Sequence, residues 1–234
     1  MSYVYAGSEL ALFQHATHWK SYVAGIVRPY LGARVLEVGA GIGANIPLLF
    51  TDTVRDWTAL EPDAALAGEI SRQVTTGILP SATRVVVGTQ QALDRSQAFD
   101  AILYLDVLEH IEDDAAELRS VAGLLAPGGR LVVLVPAHQS LFSPFDAAIG
   151  HYRRYSRARL RAAAPEGCRL QAMRALDSIG LFASAANRLV LRKSMPSSRD
   201  IALWDRAMVP LSRWIDPLTG YGVGKSILAV WSRD

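Results

Sequence analysis

The chain has little with which to cross-link or anchor itself. A single cysteine, Cys168, stands in 234 residues, so an internal disulfide and a Cys-x-x-Cys pair are both excluded. No apolar run reaches the ~18 residues that a membrane-spanning helix needs. Met1 to Leu12 carries no basic-then-apolar leader, and with the lone thiol this implies a reducing, cytoplasmic setting. Internal repeats and low-complexity tracts are absent. A phosphate loop of the Gly-x-x-x-x-Gly-Lys-Ser/Thr type is absent too, because Gly222-x-Gly224-Lys225-Ser226 lacks the first glycine and a preceding strand. No nucleic-acid partner is expected. What remains, 50% hydrophobic and 20% charged, is the composition of one globular domain spanning residues 1–234.

What is present concentrates in one run, Val35-Leu-Glu-Val-Gly-Ala-Gly-Ile-Gly-Ala-Asn-Ile46. It reads as a short buried strand, Arg34 to Val38, that breaks into Gly39, Gly41 and Gly43 and then opens a helix. Glycines there allow a sharp turn and a close approach of backbone to ligand. The helix behind them offers unpaired N–H groups and a positive dipole end. This is a nucleotide cradle. Gly39-x-Gly41-x-x-Ala44 also satisfies the dinucleotide fingerprint, with Glu61 placed to hold a ribose. Glu37 separates the readings: an unneutralised carboxylate repels a pyrophosphate and attracts an ammonium. S-adenosylmethionine has ribose, adenine and an ammonium but no phosphate, and is favoured over a nicotinamide dinucleotide.

Around this run the pattern alternates. An amphipathic helical region over 8–30 leads to strand 34–38, a helix near 43–50, strand 56–61 and a helix over 62–75 with Pro62 in its first turn. Strand 83–88, strand 99–105, a helix near 112–125, a Pro127-Gly128-Gly129 turn and strand 130–135 follow. Near-continuous apolar strands between helices mean a parallel sheet covered on both faces. After Pro136 a long connection, 137–155, precedes a helix near 156–164 and strand 168–176. Helical segments at 179–193 and 200–215, bent at Pro210, then lead to strand 226–232. Residues 1–32 read as a helical cap, and 137–223 as a lid with helical insertions on the substrate side.

Four stretches together, VLEVGAGIGANI at 35–46, ALEPD at 59–63, FDAILYLDVLEHIEDD at 99–114 and LLAPGGRLVVLVPAH at 124–138, resemble the class I S-adenosylmethionine-dependent methyltransferases. LEHIEDD and the later GHYRRYS are similar to a bacterial subgroup close to the ubiquinone-type O-methyltransferases. The resemblance implies an α/β, Rossmann-like, doubly wound sheet of seven strands, order 3-2-1-4-5-7-6, with the last strand antiparallel. It places the methionine end of the cofactor over Gly39, Ala40 and Gly41, with Glu37 near its ammonium and Gly43 among the cofactor-binding residues. Glu61 would take the ribose hydroxyls, Pro62 and Asp63 would flank the adenine, and Leu105 and Asp106 would line the methionine side. Thr89, Gln90 and Gln91 occupy the turn that reads the adenine amino group; many relatives carry an acid there. S-adenosylhomocysteine is the implied product.

An activated methyl donor asks the enzyme chiefly for alignment, but a neutral hydroxyl acceptor also needs activation, usually by a histidine. His110, His138 and His151 fall near the expected mouth and are the candidates. Tyr152, Arg153, Arg154 and Tyr155 are candidate substrate contacts; in the alternative the tyrosines pack beneath the lid and the arginines face solvent. No metal is expected, because Asp106 has no Asp or Asn partner just after Pro136 and Asp146 lies ten residues on. From His151 to Trp214 thirteen basic side chains face four acidic ones, which suits an anionic acceptor or contact with anionic lipid as well as a solvated surface. The apolar segments at 179–193 and 201–214 suit core packing or a lipid-linked acceptor and a peripheral membrane surface. The reading is therefore methyl transfer to an oxygen of a small or lipid-linked acceptor. A neutral prenylated ring as acceptor, or a cofactor-binding module without turnover, are the alternatives.

Overall fold

The computed structural model describes residues 13, 15–186 and 197–234. Its strands are β1 (Arg34–Val38), β2 (Asp56–Glu61), β3 (Thr83–Val87), β4 (Phe99–Leu105), β5 (Leu125–Pro136), β6 (Cys168–Leu176) and β7 (Ser226–Arg233). They form one sheet in the order β3-β2-β1-β4-β5-β7-β6. β1 to β5 pair in parallel, and β7 lies antiparallel between β5 and β6. This is the expected topology.

Alternation along the inner strands feeds two cores. Val35, Trp57, Ala101, Leu103 and Val132 face one side, and Leu36, Leu60, Ile102, Tyr104 and Val133 the other. On the first side α1 (Thr17–Val27) lays Trp19, Val23 and Val27 against the sheet. On the second, α4 (Asp114–Ala122) and α6 (Arg157–Ala162) contribute Leu118, Val121 and Leu160. A sheet sealed on both faces leaves the loops at the carboxyl ends of β1 and β4 to form a ligand crevice.

Local chemistry moved several boundaries. The helix α3 (Ala64–Thr75) is capped by Asp63, whose Oδ1 accepts the N–H of Ala65 and of Leu66, so Pro62 precedes the cap and is not in the first turn. The Pro127-Gly128-Gly129 turn is absorbed into β5 as an irregularity in its pairing with β4. The helix expected over 43–50 shrinks to α2 (Ile46–Leu49), because Gly39, Gly41 and Gly43 all take positive φ. Within the long connection, α5 (Pro144–Ala148) forms behind a capping box of Ser143 and Asp146. Farther on come α7 (Ser178–Ala186), α8 (Ser198–Leu203), a wide π turn at Trp204–Met208 and α9 (Val209–Leu218), with Pro210 in the first turn of α9. The expected helical residues 187–193, and those before 13, lie outside the described residues.

Two buried acids tie the segments after β6 to α1. Asp205 accepts the N–H groups of His18 and Trp19 and stands 3.0 Å from His18 Nδ1. It supplies from far along the chain the cap that Ala16 lacks. Asp216 accepts Tyr22 Oη and the N–H groups of Asp177 and Ser178. The helix α1 is thus fastened beside the crevice by carboxylates that no local pattern pairs with it.

Candidate active site

One cavity of about 400 Å³ runs from the turn after β1 to the segment after β5. At one end Gly39, Ala40 and Gly41 line it together with Glu61, Pro62 and Leu66. Gly39 sits at φ +67, and a Cβ there would stand 2.6 Å from Val107 Cγ2; only glycine fits. Glu61 Oε2 accepts the N–H of Gly41 at 2.7 Å, and its Oε1 accepts the N–H of Asp63 at 3.0 Å. Burial pushes the Glu61 carboxyl above its ordinary range, partly offset by those two bonds.

Glu37 lies behind this turn and does not line the cavity. It is 1% exposed, and its Oε1 accepts from Asn45 Nδ2 at 2.9 Å. Burial raises its pKa to about 7, with Asn45 and the Trp57 indole partly opposing. Thr89, Gln90 and Gln91 are also outside the lining; Gln90 Oε1 instead accepts from Ser120 Oγ and Arg95. Gly43 and Asp63 support the turn and the helix cap from outside the cavity wall.

At the other end Leu105, Asp106, Glu109, His110, Asp146, His151, Arg154 and Lys225 converge. Asp106 caps β4 at φ +57. The lid folds back so that His151 Nδ1 stands 3.1 Å from Asp146 Oδ1, and Arg154 Nη2 lies 2.8 Å from the same oxygen. A carboxylate only accepts, so Nδ1 carries a proton, while Nε2 stands 3.8 Å from Glu109 Oε1. Burial works against the Asp146 charge, yet His151, Arg154 and Ser143 together hold its carboxyl well below the usual range. Burial drives Glu109 strongly the other way, with Asp106 adding to it. His110 packs edge-on to His151 with ring centroids 4.5 Å apart; burial first, then His151, lowers its pKa to about 4.

A family model described as a methyltransferase domain matches residues 14–184. The chain belongs to that family. Its methyl donor is S-adenosylmethionine, and the glycine turn between two buried acids, Glu37 and Glu61, fits a ligand with ribose hydroxyls and an ammonium. The methyltransferase is 33% identical over 114 residues to the ubiquinone biosynthesis O-methyltransferase of Xanthomonas axonopodis pv. citri, an alignment covering 47% of this chain and 45% of that protein. The match thus spans about half the length of the curated relative. Among solved structures, geranyl diphosphate methyltransferase in complex with SAM superposes at TM-score 0.64 with 16% identity, covering 97% of this chain and 91% of that one. A putative sarcosine dimethylglycine methyltransferase from Galdieria sulphuraria superposes at 0.61 with 17% identity, covering 93% and 84%. At these identities the likeness is one of fold.

The methyltransferase brings together His110 and His151 but not His138. His138, at φ +64, directs Nε2 to the Gly224 carbonyl oxygen at 2.9 Å; it does not line the cavity. Of the GHYRRYS cluster only His151 and Arg154 reach the cavity. The observed cluster is divided between the two expected arrangements. Tyr155 is fully buried and Tyr152 is 53% exposed, while Arg153 pairs with Asp114 at 2.9 Å and Arg154 with Asp146. Both arginines spend their charge inside the protein. Glu109, Asp146, Asp177, Trp204 and Lys225 line the cavity without having been singled out as site residues. Glu109 could have been found from its place in Asp106-x-x-Glu109-His110, just past a strand end. Lys225 could not, since only the antiparallel return of β7 brings it beside Ala137.

Proposed function

We propose that this methyltransferase moves a methyl group from S-adenosylmethionine to an oxygen of a small or lipid-linked acceptor that carries negative charge. The observation carrying the reading is that a single cavity joins the Gly39–Gly41 turn to the Asp106, Glu109, His110 and His151 cluster. When bound, the donor supplies a methyl group already activated by its sulfonium. Gly39, Ala40 and Gly41 leave room for its methionine end, and Glu37 sets a negative charge behind them. Glu61 and Pro62 hold the ribose side, and Leu105 and Asp106 face the methyl group. His110 and His151 are the histidines placed to act on an acceptor hydroxyl.

Two features support the acceptor class. Lys225 puts a cationic group on the acceptor side, with its Nζ 5.2 Å over the Trp204 ring, and the Arg154–Asp146 pair lines the same end. Phe13, Trp19, Phe145, Ile149 and Ile201 make the neighbouring wall apolar, which admits a lipid tail or, in a second reading, a neutral prenylated ring. The two differ at Lys225. A Lys225→Met change should raise KM for an anionic acceptor at least tenfold and leave a neutral ring unaffected. The decisive experiment incubates the enzyme and methyl-labelled cofactor with polar and lipid fractions of a cell extract and identifies the labelled product. Label in an ether or ester of an acidic compound is expected. Intact S-adenosylhomocysteine binding with no label transferred to any fraction would reduce the chain to a cofactor-binding module.

A further inference from the structure

We propose that Glu109, His110 and His151 form a binding site for one divalent cation of intermediate softness, of the zinc or cobalt kind. The inference rests on the methyl-transfer reading only for what the ion does, namely to hold the acceptor oxygen; the site itself stands on geometry.

One carboxylate oxygen and one ring nitrogen from each histidine lie within 4.8 Å of one another. Glu109 Oε1 and His151 Nε2 are 3.8 Å apart, too long for a hydrogen bond. Two ligands each ~2.1 Å from one ion stand roughly 3.0–4.2 Å apart, so this spacing suits an ion between them. Glu109 is 1% exposed, and its Oε2 has no hydrogen-bond partner among the described residues. A buried carboxylate oxygen left unsatisfied is costly, and a cation removes that cost.

The surroundings match a metal site beyond its ligands. Asp146 takes the proton-bearing Nδ1 of His151 at 3.1 Å, the outer carboxylate–histidine arrangement that fixes a ligating tautomer. Arg154 and the Ser143 hydroxyl hold Asp146 in turn. Two imidazoles and one carboxylate select a transition-type divalent ion over calcium or magnesium, which prefer oxygen. Three protein ligands leave coordination positions open toward the cavity, where Asp106 and the acceptor side meet. The sequence reading sought ligands after Pro136 in line with Asp106; the converging groups come instead from the end of β4 and from a lid residue 41 positions beyond His110.

The test is titration of the chelator-stripped full chain with Co(II), followed by its visible absorption. One equivalent should bind with d–d bands typical of nitrogen and oxygen ligands, be displaced by Zn(II), and raise Tm by mass action. His151→Ala and Glu109→Gln should each weaken binding at least tenfold. The isosteric Glu109→Gln keeps the test valid if the alanine variant fails to fold. No binding, or binding indifferent to both changes, overturns the inference. S-adenosylhomocysteine calorimetry on the stripped chain separates the two readings. If the nucleoside binds and Co(II) does not, only the metal site fails; if Co(II) binds and the nucleoside does not, the methyl-transfer reading fails.

Discussion

Glu61 reaches from the end of β2 to the turn after β1 and accepts the N–H of Gly41 at 2.7 Å. The acid expected to hold a ribose therefore also braces the glycine turn. A charged hydrogen bond of this kind is worth about 1.5–3 kcal/mol. Glu61→Ala should lower S-adenosylhomocysteine affinity by roughly 10–150-fold and reduce Tm as well. Calorimetry paired with thermal melts checks both; a loss of affinity at unchanged Tm would mean that the brace is unimportant.

Gly39 tests the turn itself. An alanine there meets Val107 at 2.6 Å while forced to φ +67, costing about 1–2 kcal/mol of backbone strain and about 1–3 kcal/mol of overpacking. Gly39→Ala should lower Tm by several degrees and abolish measurable cofactor binding. Adding Val107→Ala should restore part of the Tm, because it relieves the clash and leaves the strain.

Glu37, behind the glycine turn, should make cofactor binding depend on pH. Its folded pKa of about 7 stands above the ordinary 4.5 because burial disfavours its charge. The group's contribution to stability is therefore complete below the ordinary value and is lost as pH rises through about 7. A bound ammonium favours the carboxylate, so binding should release a proton below neutrality. Affinity for S-adenosylhomocysteine should climb toward pH 7 and level off above it. Glu37→Gln should flatten that profile, which calorimetry in buffers of different ionisation enthalpy would show.

Arg153 and Arg154 should behave differently from surface arginines that gather an anion. Arg153→Ala leaves Asp114 with only the Tyr155 hydroxyl and the more distant Arg159 and should cost about 1–3 kcal/mol of stability with acceptor KM unchanged. Arg154→Ala removes one of the groups holding Asp146, leaving Ser143 and His151 on it, and should lower kcat as well. A rise in KM alone for Arg153→Ala would return that residue to the substrate surface.

The histidines divide by position. His138→Ala should leave turnover near the parental rate, and His151→Ala should slow it by about 10²–10⁴-fold with cofactor affinity intact. Single-turnover kinetics on both variants decides the point.

How much of this was legible beforehand depended on the range of the interaction. β1, β2 and β4 came out at their expected bounds, because consecutive apolar residues between turn signals report burial directly; β6 did so as well, although most of it is half-buried or exposed. The glycine turn was equally plain, since Gly39 and Gly41 serve a local backbone need. Helix ends were less so: Asp63 capping α3 displaced Pro62 by one step, and the three left-handed glycines delayed α2. The fate of GHYRRYS was unreadable. Alternate residues of an irregular lid have no periodicity to say which face is buried, and the partners of Arg153 and Arg154, Asp114 and Asp146, sit at different distances along the chain.

The amino-acid sequence by itself determined the inner strands and the glycine turn, because each is written in contiguous residues whose conformational preferences act over a few positions; the strand order followed only from the family resemblance that those stretches carry. Only the tertiary structure decided which histidines share a cavity, that α1 is pinned over it by Asp205 and Asp216, and that Glu109 faces His110 and His151. Those relationships join elements far apart in the chain, and their energies exist only after the sheet has brought the carboxyl ends of its strands together.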